Sequence, residues 1–157
     1  MLVESNAILR YLADKYEATD LWPKDLIQRQ RVDAALDFCG STFRPGTLPF
    51  LAETVVAPKF FGGNEPTEER LEQLKQLHAD TLAKAEKWLG EKPYFAGETL
   101  SLADLQIFSE AATNHIILKI PHDDYPNFKA WFARMLENEK VKANHDILIE
   151  KCAALDG

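Results

Sequence analysis

The sharpest helix start in the chain reads Leu100-Ser101-Leu102-Ala103-Asp104-Leu105. Ser101 followed by Asp104 three residues later is a capping-box pattern with Asp in place of Glu, and such a pair can satisfy N–H groups that a helix start leaves free. Leu100 and Leu105 occupy the two positions of a hydrophobic staple. We therefore expect Ser101 and Asp104 to form a structural cap, and a catalytic acid at Asp104 is the less favoured alternative.

Helical periodicity extends from this start in both directions. Apolar residues from Phe128 to Leu136 recur at the spacing of a completely buried helix face. The pattern predicts about six helices, over residues 4–16, 25–61, 67–89, from 101, from 126 and 144–154. Two short runs, 94–96 and 116–120, resemble strands. The predicted fold class is therefore all-α.

The second of these helices contains Pro45 and Pro49. A proline inside a helix removes a hydrogen bond and clashes with the preceding turn. We therefore expect a kink or a break there, followed by a continuation of the helix to Phe61. The run Gly62-Gly63-Asn64 should then end it.

Composition favours a soluble globular domain. The chain has 157 residues, of which 46% are hydrophobic and 27% charged, and its net charge is −7. This acidic balance argues against a surface for nucleic acids or anionic membranes, which need clustered Lys and Arg. No apolar run approaches the roughly 20 residues of a membrane span, and the N-terminus lacks the pattern of a secretory signal. With only Cys39 and Cys152 and no disulfide framework, we expect a cytoplasmic protein.

No titratable cluster in the sequence has the spacing of a metal site. None of His78, His115, His122 and His145 is paired with another His or a Cys at ligand spacing, so we expect no metal. His78 falls on an apolar helix face and should be a core residue, whereas His122 precedes two aspartates and should lie in a solvated loop. Cys39, in an apolar helical context, should be buried and unreactive.

Glu4 and Ser5 stand at the start of the first predicted helix. There, an acid and a hydroxyl lie beside free backbone N–H groups and the positive end of the helix dipole, which suits a carboxylate or an amino-acid-like ligand. The alternative is a simple N-cap, which physical reasoning alone favours.

Several segments, in this order along the chain, resemble the cytosolic glutathione transferase family. Glu4-Ser5-Asn6-Ala7-Ile8 looks like the family's E-S-x-A-I segment, and Tyr94-Phe95-Ala96-Gly97 precedes the capping box as it does there. The capping box itself and Tyr125-Pro126-Asn127-Phe128 complete the resemblance, which covers nearly the whole chain. Residues 31–44 and 58–62 look most like the theta class, with delta-like and bacterial relatives left open.

The resemblance implies a C-terminal-type helical bundle of the glutathione transferases. Residues 1–20 would be the last helix of a truncated thioredoxin-like domain plus a linker, and residues 21–157 the helical domain. In this family the thioredoxin-like domain carries the Ser, Tyr or Cys that activates glutathione. We therefore name no catalytic residue in the chain.

The resemblance also implies glutathione as co-substrate and conjugation of its thiolate to small apolar electrophiles. Glu4 and Ser5 would hold the γ-glutamyl group, and Arg44 is similar to a theta-class arginine near the active site, a structural arginine being an equal alternative. The residues implied for the electrophile pocket are Phe43, Arg44, Phe50 and Asn114. The chain would thus supply this pocket and part of the glutathione grip, and would be inactive alone.

Another reading comes from non-catalytic relatives of the same fold, such as the gamma subunit of elongation factor 1, in which the helical domain serves protein interaction. The loss of a thioredoxin-like domain would expose apolar surface on the first, second and fourth predicted helices. Such surface recruits partners. We therefore expect a homodimer or a complex with another protein.

Overall fold

The computed structural model describes residues 2–153, and within that range every regular element is a helix. The helices are α1 Ser5–Lys15, α2 Leu26–Phe38, α3 Arg44–Leu51, α4 Ala57–Phe61, α5 Glu68–Leu89, α6 Leu102–Leu118, α7 Pro126–Glu137 and α8 Glu139–Ala153. Tyr94 and Gly97 form an isolated antiparallel bridge. The all-α prediction is confirmed, but residues 116–118 belong to α6 rather than to a strand.

Helices α2, α3 and α4 form one continuous rod over residues 26–61. Two π-helical turns, Cys39–Phe43 and Ala52–Val56, join them. The helix therefore continues through Pro45 and Pro49 without a break. A π turn lies directly before and directly after the segment that contains them, and each π turn shifts the backbone hydrogen-bond pattern by one residue. Gly62, with φ 65°, ends the rod in a left-handed conformation that suits glycine. If the rod is counted as one unit, the described residues form six helical units, as the sequence predicts.

Helix α6 lies at the centre and packs against α1, the rod, α7 and α8. The core between them contains Phe43, Ile107, Phe128 and Trp131, all with 0% exposure. Burying a side chain of this size stabilises the fold by about 1.5–3 kcal/mol. The core therefore fixes the face that α6 and the rod present to the surface.

Asp104 connects the start of α6 to two other segments. Its fully buried carboxylate accepts hydrogen bonds from Ser101 N (2.9 Å) and Oγ (2.6 Å), Phe95 N (2.9 Å) and Trp131 Nε1 (3.0 Å). Burial raises the pKa of the Asp104 carboxyl, while these donors act in the opposite direction. Because all four of these hydrogen bonds come from groups of the protein itself, the Asp104 carboxylate has the environment of a structural cap.

Two local expectations differ from the structure. Helix α8 begins at Glu139 rather than near 144, because Asn138 Oδ1 accepts from the N–H groups of Lys140 (3.1 Å) and Val141 (3.2 Å) and starts the helix earlier. The predicted end of this helix at Ala154 lies outside the described residues. The expectation of a solvated His122 is wrong: its side chain is buried, and its ring lies 5.0 Å from that of Phe128.

Candidate functional site

Helix α1 is attached to the rod by polar side chains. Asn6 Nδ2 donates to the carbonyl of Leu36 (2.9 Å), and Arg10 Nε donates to Asp33 Oδ1 (2.6 Å). Ala13 contributes to the buried core. The start of α1 therefore has a fixed position relative to the rod, while the division of domains near residue 20 stays a prediction.

The start of α1 has an unusual backbone conformation. Glu4 precedes the helix with φ 66° and ψ 114°, and its side chain makes no capping hydrogen bond within the described part of the chain. Ser5 is the first helical residue, and both side chains are exposed. Since the first N–H groups of a helix have no partner inside it, they are open here to an external acceptor.

Arg44 forms the most enclosed salt bridge near this site. Its Nε (2.9 Å) and Nη2 both donate to one oxygen of Glu110, Oε1, on α6. The two side chains are 36% and 17% exposed. The hydrogen bond to Glu110 is the largest effect that raises the pKa of the Arg44 guanidinium, and Glu4 acts on it in the same direction through its charge. Glu4 at the start of α1 and Glu110 on α6 thus act electrostatically on one arginine.

Cys39 is close enough to Arg44 and Glu110 for both charges to affect its pKa, but it is not available as a nucleophile. The thiol is 1% exposed. Burial first, and the charge of Glu110 second, raise the pKa of Cys39 to about 12. The thiol is therefore protonated at neutral pH, as expected for a buried cysteine.

The four residues implied for the electrophile pocket do not share one cavity. Phe43 is fully buried, and its ring packs 6.1 Å from that of Phe128, so it contacts the core rather than an open pocket. Asn114 is also buried; its Nδ2 donates to the carbonyl of Glu110 (2.8 Å), and its Oδ1 has no hydrogen-bond partner among the described residues. Phe50 lines a cavity of about 370 Å³ beside His78 and Tyr125. Of the four, Arg44 and Phe50 are half-buried, and Arg44 is the one whose pKa the charge of Glu4 affects.

Glu110 is the site residue that sequence reasoning missed. It is 66 positions from Arg44 in the chain, and no local pattern connects them. Only the packing of α6 against the rod brings the two together.

A groove of about 220 Å³ lies farther along the same two elements. Its lining includes the apolar Val55 from the rod and Ile117 from α6, together with the basic Lys59 and Lys119. Ile117 is seven residues, or two helical turns, beyond Glu110, so both point to the same side of α6.

Over the residues that the structure describes, no cluster of His, Cys, Asp and Glu could hold a metal ion. None of the helices between residues 2 and 153 combines the length and the apolar character needed to cross a membrane.

The helical bundle matches a known family of domains. The family model for the glutathione S-transferase C-terminal domain covers residues 43–139, which is more than half of the chain. The fold is therefore that of the helical domain of this class of protein. The chain belongs to the glutathione S-transferase family.

Several relatives belong to the theta class. Mouse glutathione S-transferase theta-1 is 31% identical over 154 residues, which cover 95% of this chain and 64% of the relative. Dichloromethane dehalogenase of Methylophilus leisingeri is also 31% identical, over 88% of this chain and 54% of its own length. The human theta-class enzyme in complex with the glutathione conjugate of 1-menaphthyl sulfate superposes with a TM-score of 0.84 at 28% identity, over 97% of this chain and 64% of that one. The chain thus spans between half and two thirds of these proteins.

Proposed function

We propose that this chain contributes part of a glutathione transferase site, with glutathione held at Glu4 and Ser5 and an electrophile beside Arg44. The single observation that carries the proposal is the uncapped start of α1, where Glu4 has a left-handed φ of 66°. Family membership supports the proposed reaction class, which is conjugation of the glutathione thiolate to an electrophile. We assign activation of the thiol to no residue of this chain.

The chemistry of the α1 start suits the γ-glutamyl end of glutathione. Its α-carboxylate would accept from the N–H groups of the first turn and from the Ser5 hydroxyl, near the positive end of the helix dipole. Its α-ammonium group would donate to the Glu4 carboxylate in a charge-assisted hydrogen bond. One zwitterionic group therefore uses both side chains and the helix backbone.

The electrophile would occupy the side of the rod that faces α6. The names of two relatives include an uncharged compound, dichloromethane, and a sulfate ester. For this chain we propose small apolar electrophiles, held against apolar residues such as Val55 and Ile117 in the groove farther along the rod, whose lining also includes Lys59 and Lys119. We also propose a cytoplasmic location.

Calorimetric titration with glutathione tests this proposal. The wild-type chain should bind, and the variant Glu4→Ala/Ser5→Ala should lose binding. Thr67→Ala/Glu68→Ala is a matched control, since Thr67 and Glu68 are a hydroxyl and an acid at the start of α5. If the wild type shows no binding at about 10 mM glutathione, its dissociation constant is well above the millimolar range. That result would contradict the proposal. It would favour a non-catalytic interaction domain.

We further propose that α1 takes part in pairing with a second copy or another protein. Tyr11, Leu12 and Tyr16 are exposed on this helix, as are Leu26 and Ile27 at the start of α2. On α6, within the described range, no large apolar side chain is widely exposed, although Leu105, Ile116, Ile117 and Leu118 are half-buried.

Sedimentation velocity over a range of concentrations tests this pairing. Leu12→Lys should reduce association, whereas Leu77→Lys on α5 should not, although Leu12 and Leu77 are equally exposed at 39% and 38%. A wild-type chain that stays monomeric at all concentrations, alone and with candidate partners, would contradict the proposal.

A further inference from the structure

The cavity beside His78 is separate from the site assigned to glutathione and its electrophile. It has a volume of about 370 Å³ and lies between the rod, α5 and the segment that follows α6. The groove that contains Val55 and Ile117 shares no lining residue with it. The proposed function therefore makes no use of this space.

Apolar side chains form most of the walls of this cavity. They are Phe50 from the rod, Leu82 from α5, and Leu118, Ile120 and Pro121 from the end of α6 and the segment after it. An apolar cavity of only about 150 Å³ can hold benzene. The larger space here therefore has room for an aromatic molecule of one or two rings.

His78 adds a hydrogen-bonding group to these apolar walls. It is 4% exposed, and its ring lies edge-on to that of Phe50, with 5.9 Å between the centroids. Among the described residues, neither ring nitrogen of His78 has a hydrogen-bond partner. Burial lowers the pKa of His78 to about 4, so at neutral pH one ring nitrogen can accept a hydrogen bond. A ligand hydroxyl in the cavity would satisfy this otherwise unpaired group.

The other polar residues of the lining favour no ionic ligand. The Tyr125 hydroxyl already donates to the carbonyl of Ala79 (3.1 Å). Lys75 and Asp124 carry opposite charges, and both are exposed, so water screens them. Lys75 also lies 3.8 Å from Glu72. The lining therefore suits an uncharged ligand that has an aromatic body and one hydroxyl group.

We propose that this cavity is a binding site for small aromatic alcohols of the phenol class, with the ring against Phe50 and the hydroxyl donating to His78. A phenolic O–H is a hydrogen-bond donor, and the neutral imidazole supplies the acceptor. The site is independent of the glutathione proposal, since Glu4, Ser5 and Arg44 do not line the cavity.

Titration of the full chain with 2-naphthol and with naphthalene, followed by NMR at pH 7 without glutathione, tests this site. The two probes have the same ring system, both are uncharged, and only 2-naphthol has a hydroxyl. Amide shifts should concentrate at Ala79 and Ile120 rather than at Val55 and Ile117. The wild type should bind 2-naphthol about three- to tenfold more tightly than naphthalene, which is the scale of one hydrogen bond between neutral groups.

Ala79→Leu tests the location of the site, because it places a larger side chain in the cavity from a helical position. It should weaken the binding of both probes by about tenfold or more. Ala83→Leu is the matched control, since Ala83 lies on the same helix, is exposed and does not line the cavity. This control should keep both affinities within about twofold.

His78→Phe tests the hydrogen bond, because it keeps a ring and removes both nitrogens. The ratio of the two affinities should then fall to about one, and this ratio corrects for a change in cavity shape that affects both probes. Circular dichroism checks that each variant is folded.

Each contrary outcome overturns a defined part of the proposal. The site is overturned if neither probe binds to the wild type, if the shifts fall at Val55 and Ile117, or if folded Ala79→Leu binds both probes as the wild type does. A preference for 2-naphthol that survives in His78→Phe overturns the contact with His78. None of these results bears on glutathione binding at Glu4 and Ser5.

Discussion

Glu4 combines an exposed charge with a strained backbone. A non-glycine residue at φ 66° costs of order 1 kcal/mol or more and persists only where its surroundings impose it. The surroundings here are the contacts of Asn6 and Arg10, which fix α1 on the rod directly after this residue. Glu4 thus keeps its position directly before α1 at the expense of stability.

Replacing Glu4 by glycine should therefore stabilise the fold. Glu4→Gly should raise the free energy of unfolding by about 0.5–1 kcal/mol, because glycine adopts positive φ without strain. Glu4→Ala, which keeps a Cβ, should bring no gain. Urea unfolding of the three proteins measures the difference, and equal midpoints for the glycine and alanine variants would contradict a strained Glu4.

The crossing of α3 and α5 depends on the absence of one side chain. A Cβ added to Gly46 would come within 2.8 Å of Thr81 Cβ and 2.9 Å of Thr81 Cγ2. Such distances are below van der Waals contact, and Thr81 is itself 1% exposed and cannot turn away into solvent. The glycine therefore sets how closely the two helices approach.

Gly46→Ala should destabilise the protein by about 2 kcal/mol or more, the usual scale of overpacking in a tight core. Adding Thr81→Ala should recover part of that loss, since it removes Cγ2 and the hydroxyl while leaving Cβ in place. Thermal unfolding of the single and double variants measures both effects. Additive losses in the double variant would show that the two positions do not clash.

The elements that were predictable from sequence have local signals. Ser101 with Asp104 marks the start of α6, and Gly62 marks the end of the rod. The π turns have no such signal, and because they shift the helix phase, the side of the rod on which Phe43 and Phe50 fall could not be read from periodicity. The Arg44–Glu110 pair depends on helix packing and was equally invisible.

Two buried histidines make the stability of the whole molecule dependent on pH. His78 and His122 are 4% and 7% exposed, and burial lowers the pKa of each from 6.5 to about 4. For His122 the neighbouring His115 and His78 act in the same direction, and Asp123 opposes them. At a pH between about 4 and 6.5, these two histidines are therefore protonated in the unfolded chain and neutral in the folded chain.

Stability should therefore fall as the pH falls from 6.5 towards 4, by up to about 2–3 kcal/mol for each histidine, and should depend less on these residues outside that window. His78→Phe/His122→Phe should flatten the slope whatever its effect on stability at neutral pH. Urea midpoints measured at several pH values test this. Parallel curves for the wild type and the double variant would contradict neutral buried histidines.

The first π turn, Cys39–Phe43, holds one residue more than the α-helical turn it replaces. The extra residue is taken up within this wider turn, so the helix beyond it keeps nearly the direction that it would have without that residue. Removal of one residue here should therefore restore regular α-helix and leave Arg44 facing Glu110. A homologue one residue shorter at this turn should keep both residues, and a sequence alignment that places its gap elsewhere would pair the wrong residues along the rod.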